Sequence, residues 1–142
     1  MGIRRPPEKN SPWPTNLVCG AAFTIYALDT NVIHVGVQLK DQNGDNLADN
    51  VVGHVGWHIA NGKSGVDMIA TALTGGVSAG ADGGIVSVLA GKHGWAVSEL
   101  GGHIDFNLTD SGNPTVYLAI RLPNGGLVVS QALRFLEGGT GT

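Results

Sequence analysis

Val32-Ile33-His34-Val35-Gly36-Val37-Gln38-Leu39-Lys40 alternates apolar residues with others along nine positions. Successive side chains of an extended strand point to opposite faces, whereas a helix would scatter these residues around its circumference. Ile33, Val35, Val37 and Leu39 therefore share one face, and His34, Gly36, Gln38 and Lys40 share the other. The next stretch, Asp41-Gln42-Asn43-Gly44-Asp45-Asn46, is turn chemistry, because Asn-Gly supplies the positive-φ positions of a tight reversal. Alternation resumes at Val51, with Val55, Trp57 and Ile59 inward and His54 and His58 outward. Two alternating runs around one turn predict a β-hairpin centred on Gly44.

The same period of two extends outward from this segment. It begins near Phe23. It returns in Ile104, Phe106 and Leu108, then in Val116, Leu118, Ile120 and Leu122, and closes with Leu127, Val129, Leu133 and Phe135. Asp110-Ser111-Gly112-Asn113-Pro114 and Pro123-Asn124-Gly125-Gly126 separate these runs as turns. Residues 85–89 and 95–97 read as strands, and the glycine-rich 60–84 stretch as short strand fragments among loops, including 66–71. Seven to nine short strands at spacings of about 8–12 residues predict an all-β fold. Its expected form is an antiparallel β-sandwich, jelly-roll-like or immunoglobulin-like, over residues 19–137. Residues 1–18 hold Pro6, Pro7, Pro12 and Pro14, which fix φ and push their predecessors to extended geometry, so an extended arm is expected there. Residues 138–142 read as a Gly/Thr tail.

Composition agrees with this. Of 142 residues, 23 are glycine, 42% are hydrophobic and only 13% are charged, which suits short strands and many turns better than long helices. The net charge of −3 argues against a nucleic-acid partner, which selects for a basic patch. Only Arg4, Arg5 and Lys9 cluster, and they sit among the prolines. The single cysteine, Cys19, excludes an internal disulfide and has apolar neighbours, so it reads as a small core residue. The apolar 17–28 stretch is too short to span a bilayer as a helix, and the proline-rich segment before it does not resemble the basic start of a signal peptide. No membrane association is expected.

The apparent chemical motifs each miss a requirement. Gly76-Val77-Ser78-Ala79-Gly80 matches G-x-S-x-G, but a nucleophile elbow needs a strand-to-helix turn on an α/β sheet. It reads as a turn. Asp41-x-Asn43-x-Asp45 begins like a calcium loop, yet Asn46 and Val52 stand where glycine and a bidentate Glu belong. The paired glycines at 75–76 and 83–84 precede no helix that could hold a phosphate. If the hairpin is centred on Gly44, His34 falls opposite His54, which could make a pH-sensitive contact; a zinc site needs further ligands that the sequence does not place. No catalytic, cofactor or metal residues are expected, and no enzyme.

The run from Asn31 to Gly44 is similar to the opening of small virion proteins of tailed bacteriophages. So are Gly101 through Thr109-Asp110-Ser111-Gly112 to Tyr117-Leu118-Ala119-Ile120-Arg121-Leu122-Pro123-Asn124-Gly125, and Leu127-Val128-Val129-Ser130. The resemblance covers roughly residues 31–60 and 95–135. Among such proteins, size and form most resemble capsid cement, or decoration, proteins. The resemblance implies synthesis in the bacterial cytoplasm, a place on the capsid exterior, and binding to the major capsid protein as a dimer or trimer. Arg4, Arg5 and Trp13 in the arm, with His34, His54 and His58 on an outer sheet face, are the expected contacts. The rivals are a tail, collar or fibre module, and a carbohydrate-binding or adhesin module using Trp57, Trp95, Tyr26 or Tyr117.

Overall fold

The computed structural model describes residues 17–29, 31–112 and 114–135. These hold ten strands and no helix, so none that is long and apolar enough to cross a membrane. In chain order the strands are β1 (Gly20–Asp29), β2 (Val32–Lys40), β3 (His54–Ala60), β4 (Gly76–Ala79) and β5 (Gly84–Leu89). They continue with β6 (His93–Val97), β7 (His103–Thr109), β8 (Thr115–Arg121), β9 (Leu127–Val129) and β10 (Leu133–Arg134). They form two antiparallel sheets. The four-stranded sheet has the order β1-β2-β7-β4, and the six-stranded sheet β10-β8-β3-β6-β5, with β9 also on β8.

The two sheets share one core in a sandwich-like arrangement. Ile33, Val35, Val37 and Leu39 of β2 are buried together with Ile104, Phe106 and Leu108 of β7. The other sheet contributes Val55, Trp57 and Ile59 of β3 and Val116, Leu118 and Ile120 of β8. Trp57 meets Phe106 edge to face between the sheets, with ring centroids 6.2 Å apart, a favoured aromatic geometry. The alternating positions of β2, β3, β7 and β8 are buried as the sequence implies, whereas in β9 Leu127 is exposed and Val128, not Leu127 or Val129, packs against the core.

The hairpin expected between β2 and β3 does not form. β2 pairs with β1 and β7, whereas β3 pairs with β6 and β8 in the other sheet. The turn chemistry is real: Gly44 has φ +82°, and Asp41 Oδ1 accepts hydrogen bonds from the amides of Asn43 (2.8 Å) and Asp45 (3.1 Å). Antiparallel pairing stops after the single bridge Lys40–Asn46. Leu47 then buries its side chain in the core, and the chain crosses to the opposite sheet. Alternation specifies which face a residue takes but not which strand lies beside it. Both strands also carry fully apolar inner faces that suit central positions.

Other boundaries shift. Residues 66–71 are no strand; only Met68 bridges to Ala60. The Gly76–Gly80 segment, read as a turn, is largely β4, an edge strand paired to β7 with Val77 buried. Cys19 is half-buried rather than in the core, while Val18, placed in the arm by the sequence, is buried among core residues.

Candidate interaction face

On the outer face of the six-stranded sheet, register places Val86 of β5 beside Trp95 of β6, Trp95 beside Gly56 of β3, Gly56 beside Arg121 of β8, and Arg121 beside Leu127 of β9. Glycine at position 56 shapes this row. A Cβ there would come within 2.8 Å of the Arg121 guanidinium, so the missing side chain leaves a trough in which Arg121 lies flat on the sheet. Arg121 Nη2 donates to the carbonyls of Trp57 and Gly94, each at 3.1 Å, and the guanidinium sits 5.6 Å from the Trp95 ring centroid. Such cation–π stacking orients both side chains. The Trp57 indole donates to the Trp95 carbonyl at 3.2 Å, tying the backbone of this row to the core.

Trp95 is nevertheless 59% exposed, with Val86 65% and Val88 60% exposed beside it on β5. Leu89 is exposed on the same strand. Trp95 stands between two hollows. One, of about 410 Å³, is bounded by His54, Arg121, Leu122 and Pro123; the other, of about 240 Å³, lies among His54, Val86 and Val97. Large apolar side chains clustered in the open mark contact surfaces, whereas scattered ones do not. Among the described residues, β5 has a strand partner on one side only, which leaves an edge open to pairing.

The expected contact residues do not converge. Arg4, Arg5 and Trp13 lie outside the described residues. His34 is on the other sheet, opposite Ala27 and Asn107 rather than His54, and its Nδ1 is 2.6 Å from Asn107 Oδ1. The His34–His54 pair is thereby excluded, because the strands that carry the two residues belong to different sheets. His54 is exposed and borders both hollows beside Trp95. His58 does not face solvent: the 61–65 loop covers it, and its Nε2 is 2.6 Å from the Gly65 carbonyl oxygen. Among the aromatic candidates Trp57 is fully buried, and Trp95 and Tyr26 are exposed.

A polar cluster lies on the four-stranded side. His103 Nδ1 is 2.9 Å from Asp82 Oδ2 and 3.5 Å from Asp105 Oδ1, and Asp105 Oδ2 accepts the Asp82 amide at 3.1 Å. Tyr26 lies beside Asp105, and Glu99 beside Asp82. The Tyr26 phenol is pushed above its ordinary value by desolvation, then by the charge and hydrogen bond of Asp105 and the charge of Asp82. The Glu99 carboxyl is also raised, first by its hydrogen bond to Asp82. His103-x-Asp105 places both side chains on one face of a strand, a spacing the sequence displays. Asp82 reaches them from a distant turn, which no local pattern announces.

No protein-family model, curated protein or solved structure matches this chain.

Proposed function

We propose that the chain is a binding module that docks through the Trp95 face, and that it serves as a capsid cement protein on the exterior of a phage head. The observation that carries the docking reading is the exposed indole of Trp95 flanked by Val86, Val88 and Leu89 on an open-edged strand. Aromatic anchors held by their surroundings lose little entropy on binding and dominate interface energetics. Arg121 and Trp57 hold the Trp95 row in this way. The phage setting rests on the resemblance of residues 31–60 and 95–135. The sandwich, whether of jelly-roll or immunoglobulin-like kind, then acts as a rigid carrier. Its many symmetry-related copies on a head supply avidity.

Weak contacts from His54 and from an arm bearing Arg4, Arg5 and Trp13 would add to the Trp95 anchor, with the major capsid protein as partner. A glycan partner fits less well, because the larger hollow beside Trp95 has no Asp, Asn, Glu or Gln side chain in its lining to hold sugar hydroxyls. A tail, collar or fibre module would use the same face at lower copy number.

Co-sedimentation of the purified chain with expanded and unexpanded heads of the encoding phage tests this. Saturable binding to expanded heads at hundreds of copies, lost in Trp95→Ala, is expected. Absence of binding to either form, or retention of full binding by Trp95→Ala, would overturn it.

A further inference from the structure

Between the β4–β5 turn and β7, Asp82, His103 and Asp105 bring one imidazole nitrogen and two carboxylates together, their donor atoms within 4.8 Å of one another. We propose that these three residues, with Glu99 at the rim, bind a divalent transition-metal ion of the zinc or manganese kind.

The donor spacing fits. Ligands about 2.0–2.1 Å from a metal stand about 2.8–3.0 Å apart along the edge of an octahedron and about 3.3–3.4 Å apart along that of a tetrahedron. His103 Nδ1 lies 2.9 Å from one carboxylate oxygen and 3.5 Å from the other, and rotation of the carboxylates would bring the whole set, now within 4.8 Å, to ligand spacing. The imidazole is positioned from behind: Gly36 lacks a side chain, and His103 Nε2 occupies the space 3.0 Å from where its Cβ would stand. That directs Nδ1 toward the carboxylates. Asp105 is held as metal-bound carboxylates commonly are, by a hydrogen bond from the Asp82 amide.

Charge gives an independent reason. The side chain of Asp105 is only 7% exposed, and a buried carboxylate is costly unless its charge is compensated. Among the described residues the only group that can pair as a cation with Asp82 or Asp105 is His103, so the two carboxylates face at most one positive charge. Glu99, on the β6–β7 connection, brings a third carboxyl beside Asp82. A divalent cation would compensate these carboxylates. The mixed donors decide its class: imidazole favours zinc and its neighbours over calcium or magnesium, and the carboxylates admit manganese. The ion would join the turn leading into β5 to β7 and to the β6–β7 connection, bracing the strand next to Trp95.

Isothermal titration of the metal-free chain with zinc chloride, and separately with manganese chloride, tests the site, with calcium chloride as the comparison. One ion per chain with zinc or manganese at micromolar levels is expected, with a rise in melting temperature and a heat that varies with buffer ionisation as protons leave. His103→Gln and Asp82→Asn, both on partly exposed side chains, should each weaken binding at least tenfold while circular dichroism stays unchanged. The proposal is overturned if neither metal binds below about 100 μM, if calcium binds more tightly than both, or if His103→Gln binds like the parent. The last result would assign the affinity to other histidines. The outcome is independent of head binding.

Discussion

On the outside of the four-stranded sheet, His34, Gln38 and Asp105 hold hydrogen bonds to Asn107, to the Gly101 carbonyl and from the Asp82 amide. The outside of the six-stranded sheet instead presents Val86, Val88 and Trp95 to the open. The inner faces of the two sheets do not differ in this way: both are mostly aliphatic, with Phe106 and Phe23 on one, Trp57 on the other and Phe135 entering the same core just beyond β10. The contrast separates two demands on the sequence. The inner faces make the fold, so they converge on one composition. The outer faces are free to diverge, and their divergence is where binding is to be sought.

The largest expected effect concerns what the sheets share. Trp57→Ala and Phe106→Ala should each cost about 3–5 kcal/mol in urea unfolding. The double variant should cost less than the two together, since the rings touch. Strict additivity would deny that the two inner faces form one core.

Next comes the seam that carries β5. A Cβ at Gly94 would collide with the Val86 carbonyl, so Gly94→Ala should cost about 2–3 kcal/mol and expose the β5 amides to hydrogen exchange before the rest. Uniform protection loss across both sheets would mean that β5 is not the separable edge described. Gly56→Ala is expected to be milder, within about 1 kcal/mol, because the methyl meets the movable end of Arg121 rather than backbone. It should nevertheless shift Trp95 fluorescence by unstacking the guanidinium, and an unchanged spectrum would remove Arg121 from the account of how Trp95 is held.

The smallest effect belongs to the polar face. With its folded value raised above 10.0, the Tyr26 phenol keeps its proton to higher pH in the folded chain than in the unfolded one. The associated stability is fully present below about pH 10 and is lost as pH rises through the folded value. Absorbance titration of tyrosinate should show Asp105→Asn ionising Tyr26 at lower pH than the parent. No change would separate Tyr26 from the carboxylate cluster.

The fold was legible where one rule decides. Alternation picks out Ile33, Val35, Val37 and Leu39, and equally Ile104, Phe106 and Leu108, because burial of one face is a local property of an extended strand. Strand partners were not legible. Asn43-Gly44 does turn the chain, but whether the following residues pair back or cross over depends on Leu47 entering the core, a tertiary event. The same limit hid the sites. His34 and His54 were placed together through a pairing that does not exist, and His58 was placed in the open although the Gly65 loop covers it. Trp95 was visible as an aromatic, and only the sheet showed it beside the Gly56 trough. Asp82 meets His103 and Asp105 through the connection from β4 to β5, which no spacing reveals.

Hydrogen–deuterium exchange on the chain, free and bound to expanded heads, tests the difference between the outer faces most directly. The account predicts that protection gained on binding falls on β5 and β6, over Gly84–Leu89 and His93–Val97, with the outer four-stranded face unchanged. Protection gained instead across β1 and β2, with β5 and β6 exchanging as in the free chain, would contradict it.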